Sequence, residues 1–301
     1  MIRLLADNEE CPFNQIHIRE SVFEYSAVVD IALTPIMPIE QFVLEINGTA
    51  YPLTPVRSVT ADTGVIVITC YPAGYISFLN GLSQPVDISG DLAAVLDALA
   101  VCSHYEQHST QKMHWWLPAL RGRSLIDRLT QMVQTVNGGC PTFHFNLAGG
   151  LWFSDILAEC RRPPSSLFSG TSLKNSASTT FLNEVAGKVN FVFFDDNTFT
   201  RHSCTFMEGC GETTIYKYII TPDNISQEIA KAQAAFWRRY VANSIYAVKD
   251  VQAVAAPPGV KIRDERGSTD YIITASDTLL TAGGKSVSLD LFPTIQIEQI
   301  L

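Results

Sequence analysis

The chain has 301 residues, of which 47% are hydrophobic and 17% charged, with a formal net charge of −9 and a pI near 5.1. An average globular domain carries roughly 25% charged residues, so part of the apolar surface is expected to face other chains. The acidic balance argues against a dedicated phosphate-binding surface, because nucleic-acid binders gain affinity by neutralising phosphates with Lys and Arg.

The length fits two domains of roughly 100 to 150 residues. The opening MIRLLADNEECPFNQIHIRE places charges and a Pro where a secretory leader needs an apolar stretch. No run of about 18 apolar residues occurs, so the expectation is a soluble protein without a membrane anchor. Seven cysteines, at 11, 70, 102, 140, 160, 204 and 210, lack the paired spacing of a disulfide framework or a zinc ribbon. Reduced thiols are expected.

From Ile16 to about Ile88 the chain reads as short strands divided by turns. Asn47-Gly48 is the strongest hairpin signal, since both residues tolerate positive φ. Val65–Tyr71 is β-branched and nearly unbroken, as a strand buried on both faces would be. Asp91–Val101 is Ala- and Leu-rich and predicts a short helix. Ser124–Val136 predicts a second, with Ser124 as N-cap, Leu125, Leu129, Met132 and Val136 as one apolar stripe, and Asn137-Gly138-Gly139 as its stop. Leu151–Glu159 is a weaker helical segment. Residues 163–180, rich in Ser, Thr, Pro and Gly, read as a flexible linker.

Beyond it, Lys188–Phe194 and Thr213–Ile220 predict strands separated by the turn Asp195-Asp196-Asn197. The longest helix is expected over 225–248, with Ile225, Ile229, Ala232, Phe236 and Tyr240 on one stripe and Lys231, Arg238 and Arg239 opposite. Strands in VQAVA, GVKIRD, DYIITASDTLLT and KSVSLDLF complete the chain. The expected class is α+β, mainly β: a compact all-β unit, barrel or sandwich, and a second β unit interrupted by a helix. Their expected bounds are 1–90 for the first, 91–184 for a helical and looped connector, and 185–301 for the second.

Candidate chemistry is sparse. His104, His108 and His114 lie near Cys102, but HYEQH lacks the Glu that a HExxH metalloprotease uses as base. Cys140 with His144, and Cys204 with His202, are conceivable thiol–imidazole pairs outside any nucleophile motif. Asp195-Asp196 could serve glycosidase chemistry but reads as a solvated turn. No nucleophile elbow, Walker loop or dinucleotide fingerprint occurs, and Gly209-Cys210-Gly211 reads as a loop. No catalytic, cofactor or metal residue is therefore assigned. The candidate interface residues are Trp115 and Trp116, since paired large aromatics beside a Pro anchor a loop or an interface, with internal core as the equal alternative, together with Phe236, Trp237, Arg238 and Arg239.

The order of these segments resembles the hub proteins of contractile phage tails and the hub part of type VI secretion spike proteins. The likeness rests on Ser124-Leu125-Ile126-Asp127-Arg128-Leu129 after the first β unit, on the Ala-rich SQEIAKAQAAFWRRY, and on Pro258-Gly259-Val260-Lys261-Ile262 leading to DYIITASDTLLTAG. It covers most of the chain. The resemblance implies a non-enzymatic virion protein of the tail baseplate, assembled in the host cytoplasm. It further implies a hub-like fold of two β-barrel-like domains with inserted helices, in a homotrimer that adapts a sixfold tail tube to a trimeric spike, contacts other baseplate proteins, and lets DNA pass through its lumen without specific binding. The chain is short for that family and has no lysozyme-like or needle-like extension. The alternatives are a tail-associated cell-wall hydrolase or a carbohydrate-binding module.

Overall fold

The computed structural model describes residues 2–34, 39–60, 64–80, 85–99, 102–105, 113–119, 122–137, 139–173, 185–195, 198–218, 222–252, 256–267 and 269–294. The chain begins with seven strands: β1 (Ile2–Ala6), β2 (Glu9–Glu10), β3 (Gln15–Ser21), β4 (Val28–Leu33), β5 (Phe42–Ile46), β6 (Thr49–Thr60) and β7 (Ile66–Pro72). They pair antiparallel in the order β3-β4-β7-β6-β5-β1-β2. The β5–β6 turn is the expected two-residue hairpin. Ile46 pairs with Thr49, and Asn47 and Gly48 both take positive φ, 51° and 87°, which matches the right-handed twist of the flanking strands. Alternate side chains such as Ile16, Ile18, Val29, Ile31, Phe42 and Leu44 fill the lobe. β7 lies inside the sheet between β4 and β6 as its composition predicts, yet only Cys70 and Pro72 are buried. The expectation of burial on both faces does not hold, because no layer covers its second face completely.

A middle layer follows: α1 (Ala73–Leu79), β8 (Val86–Gly90), α2 (Leu92–Ala98), β9 (Cys102–Tyr105), β10 (Met113–Leu117), α3 (Arg123–Asn137), β11 (Pro141–Phe145), β12 (Leu151–Asp155) and α4 (Ile156–Cys160). Asp91 caps α2 by accepting the Ala94 N–H at 3.0 Å. α3 starts one residue before the expected cap, so Ser124 is inside the helix, while Leu125, Leu129 and Met132 are buried as the stripe predicts. The segment expected to be a weak helix instead splits at Asp155. Its carboxylate accepts N–H bonds from Leu157 and Ala158, which ends the strand and starts α4, and a third from Cys140 at 3.1 Å.

The rest comprises β13 (Ser166–Leu173), β14 (Ala186–Asp195), β15 (Thr198–Thr205), β16 (Gly211–Tyr218), α5 (Pro222–Asn243), β17 (Tyr246–Gln252), β18 (Lys261–Asp264), β19 (Asp270–Thr281) and β20 (Gly284–Pro293). β18 pairs with β13 on one side and β19 on the other, so β13, β17, β20, β19 and β18 close a five-stranded barrel. Phe168, Val248, Ile262, Ile273, Leu289 and Leu291 fill it. The expected linker thus supplies a barrel strand. Ser166–Phe168 pairs with β18 and Ser169–Leu173 with β17, and Phe168 enters the barrel core. β8, expected in the first domain, pairs with β10 of the middle layer.

One strand joins the two lobes. The first part of β19 pairs with β18 inside the barrel, whereas Ala275–Thr281 pairs with β3, making one continuous 12-stranded sheet. The changeover falls at a bulge between Ile273 and Ala275. There the carbonyl of Thr274 accepts from the Val22 N–H at 2.9 Å and the Ser21 hydroxyl at 3.2 Å. An extra residue on one strand re-aims it and increases its twist, and here it lets one strand serve two lobes.

β15-β14-β16 form a separate small sheet against α5, interposed between β13 and β17. The expected turn at 195–197 has Asp195 as the last residue of β14 and its other two residues outside the described ones, and β15 is a strand that the sequence pattern does not mark. α5 ends at Asn243 rather than the expected 248, because Tyr246–Val248 is committed to pairing with β20.

Candidate functional site

The candidate chemical groups do not assemble into a reactive centre among the described residues. His108 lies outside the described residues and His104 sits in β9. His114, on β10, pairs Nε2 with the Asp87 carboxylate at 3.1 Å across the β8–β10 ladder. No cluster of three or more His, Cys, Asp or Glu suited to a metal ion occurs among the described residues. Cys140 and His144 are four residues apart along an extended segment, roughly 13 Å at strand rise, so they form no nucleophile–base pair. Burial pushes the Cys140 thiol up and drives His144 down to about 4. Cys204, likewise raised by burial, and the exposed His202 are two positions apart on β15. Asp196 lies outside the described residues and Asp195 ends β14. Asp264, the last residue of β18, is half-buried and Glu265 after it is exposed.

The six candidate interface residues fall into two groups. Trp115 is only 2% exposed; it packs in the middle core and donates its indole N–H to the Gly90 carbonyl at 3.0 Å. Trp116, its neighbour in a strand, points the other way and is 50% exposed. The pair therefore cannot act as one aromatic platform, which removes the feature that favoured a carbohydrate-binding module. Phe236 and Trp237 are also core. They pack with Tyr240, Val241 and Phe292 where α5 lies on the end of the barrel. Arg238 and Arg239 are exposed. The burial of Trp115, Phe236 and Trp237 follows from chain-internal layers that a one-dimensional pattern cannot distinguish from subunit contacts.

Arg238 borders a cleft of about 370 Å³ between α3, α5, the Val22–Tyr25 segment and the start of β11. Its guanidinium lies over the Phe23 ring, 5.7 Å from the centroid, and donates to the Phe23 carbonyl. Across the cleft Arg123 stands 5.3 Å over the Tyr25 ring, and the Tyr25 hydroxyl donates to Asp127 at 3.0 Å. Burial and that carboxylate raise the Tyr25 hydroxyl above its ordinary range. Ala234 and Ala235 leave the α5 wall shallow. These contacts lock the Val22–Tyr25 segment to both helices and hold the middle layer against the lobe junction.

A second surface is aromatic. Phe199, Tyr216 and Tyr218 on the small sheet are 64%, 66% and 90% exposed. The opposite face buries Val189, Phe191 and Phe193 toward Ile225 and Ile229 of α5. Sequence periodicity finds the inward set; nothing in it separates the outward rings from core.

No protein-family model matches the sequence, and no curated protein does. Solved structures do match its fold. A 43 kDa tail protein of prophage MuSo2 from Shewanella oneidensis superposes with a TM-score of 0.68 at 12% identity, covering 98% of each chain. A tail protein from Neisseria meningitidis MC58 gives 0.62 at 14% identity, covering 96% of this chain and 95% of that one. An Escherichia coli component of the type VI secretion system, itself structurally similar to the bacteriophage T4 tail proteins gp27 and gp5, gives 0.50 at 11% identity, covering 96% and 76%. The resemblance read from the sequence holds at the level of fold: the chain has the β-rich architecture of phage tail proteins and of a type VI secretion component.

Proposed function

We propose that the chain is a structural hub of a phage-type tail baseplate, working as a ring of three copies that adapts a sixfold tail tube to a trimeric spike. The observation that carries this reading is a closed five-stranded barrel joined through β19 to a second, seven-stranded open β lobe in one continuous sheet. Three copies of a two-lobed chain would present six β lobes to a sixfold partner, while the chains themselves keep threefold symmetry toward the spike. The shared strand matters mechanically, because a flexible linker would let the lobes reorient and lose that register. The low charge content fits a protein that buries surface against tube, spike and neighbouring baseplate proteins. A net charge of −9 suits a lumen through which DNA passes without specific binding.

On this reading the activity is geometric and not catalytic, the protein resides in the virion, and the exposed Trp116, Arg238 and Arg239 are the members of the candidate set placed to meet partners. The test is the solution mass of the purified protein by light scattering over a concentration series, with and without the tube and spike proteins of the same tail. A three-copy species that binds both supports the reading. A protein that stays single-copy even with both partners present overturns it.

A further inference from the structure

The outward face of the β15-β14-β16 sheet carries two different surfaces end to end. Directly paired residues project to the same side of a sheet, which places Lys188, Glu212, Asn190 and Ser203 together at one end. Those four satisfy one another: Lys188 pairs with Glu212 at 3.1 Å, Asn190 donates to Glu212, and the Ser203 hydroxyl donates to Asn190 at 2.7 Å. At the other end the pairs Phe194–Phe199, Phe194–Tyr218, Val192–Arg201 and Val192–Tyr216 bring the aromatic rings around one cation. Phe194 stacks on Tyr216 at 6.2 Å and 19° and meets Tyr218 at 5.8 Å. Arg201 is exposed and has no hydrogen bond or ion pair among the described residues. β15 and β16 are both edges of this sheet.

Exposed aromatic rings around a guanidinium that has no partner among the described residues are what a protein–protein hot spot presents, and a contiguous exposed apolar patch marks an interaction site. The charge pattern selects the occupant. A two-fold, face-to-face contact would set Arg201 of one copy near Arg201 of the other, a like-charge arrangement that opposes association. A head-to-tail contact lets Arg201 meet a different surface of the next copy. With 30 Asp and Glu against 21 Lys and Arg, that surface is on average acidic. Heterologous contacts of this kind close rings where the rotation between successive copies closes.

We infer that Phe199, Arg201, Tyr216 and Tyr218 form one side of the contact between successive copies of this chain, docking onto an acidic surface of the neighbouring copy. The inference rests on the ring proposed above and assigns the surface that makes it.

Arg201→Glu, Tyr218→Arg and the double variant Tyr216→Ser/Tyr218→Ser change exposed side chains only. Each should keep the far-ultraviolet circular dichroism and thermal midpoint of the parent while weakening self-association about 30-fold or more, measured by light scattering and sedimentation over a concentration series. If the parent is three-copy and all three variants remain so with unchanged dissociation constants, this surface is not the contact and the ring reading stands. If the parent associates as a two-copy species, the head-to-tail assignment is overturned. A parent that is single-copy alone and with tube and spike overturns both the assignment and the ring.

Discussion

Gly74 and Gly149 meet backbone to backbone: a Cβ on Gly74 would lie 2.0 Å from the Gly149 carbonyl oxygen. The contact presses the start of α1 onto the β11–β12 turn, where Gly149 itself takes φ +83°. Side chains can move away from an added methyl, but a carbonyl in a turn closed by the Gly149 N–H to Asn146 carbonyl bond cannot without shifting the strands it joins. Gly74→Ala should therefore lower stability by about 1–3 kcal/mol or more, read as a drop in urea midpoint. Gly48→Ala, a positive-φ glycine with open space at its Cβ position, isolates conformational strain without a clash. Gly74 has no positive φ, so a Gly74→Ala variant as stable as the parent would show that the close approach contributes nothing.

Trp115 and Trp116 separate packing from surface. Trp115→Ala removes a core ring and its bond to Gly90 and should cost about 3–5 kcal/mol. Trp116→Ala should leave the thermal midpoint nearly unchanged, and any effect should appear in partner binding. Equal destabilisation by the two would contradict the strand geometry that sends their rings to opposite faces.

Lys261 is buried, with its Nζ 3.3 Å from Asp270 and donating to the Cys160 carbonyl at 2.8 Å. Arg263 holds the same carboxylate in a bidentate grip at 2.6 and 3.1 Å, which keeps it ionised below the usual carboxylate range. Removing one partner of a buried pair leaves an uncompensated charge, so Asp270→Ala should cost about 3–5 kcal/mol. Arg263→Ala, at the exposed end, should cost about 1 kcal/mol or less. Chemical denaturation of both variants at neutral pH checks the order.

His144 gives the protein an acid-sensitive core. It is fully buried on β11, neither ring nitrogen has a hydrogen-bond partner among the described residues, and burial lowers it to about 4 from 6.5. As pH falls below 6.5 the unfolded chain takes up the proton first while the folded state resists it. Stability is thus lost between roughly pH 6.5 and 4, by about 3 kcal/mol in total. Urea midpoints of the parent and His144→Leu at pH 7 and pH 4.5 test this. The variant should lose less stability over that interval, and parallel losses would refute the assignment.

Local order was written in the sequence where residue types have local consequences. Asn47-Gly48 determined its hairpin through positive φ, Asp91 its cap, and the Leu125–Leu129–Met132 stripe the buried face of α3, because each acts within a turn or two of backbone. The mainly β character and the hub-like order of segments were legible for the same reason. Tertiary structure decided what depends on residues far apart in the chain. Ser166–Leu173 becomes a barrel strand only because β17 and β18 flank it, and β19 joins two lobes only because β3 lies alongside its second half. Trp115 and Trp116 are identical in composition and adjacent in sequence. Which of them is core and which is surface was decided by the layer that covers one face of β10, and pairing partners and covering layers are not encoded within any single window of residues.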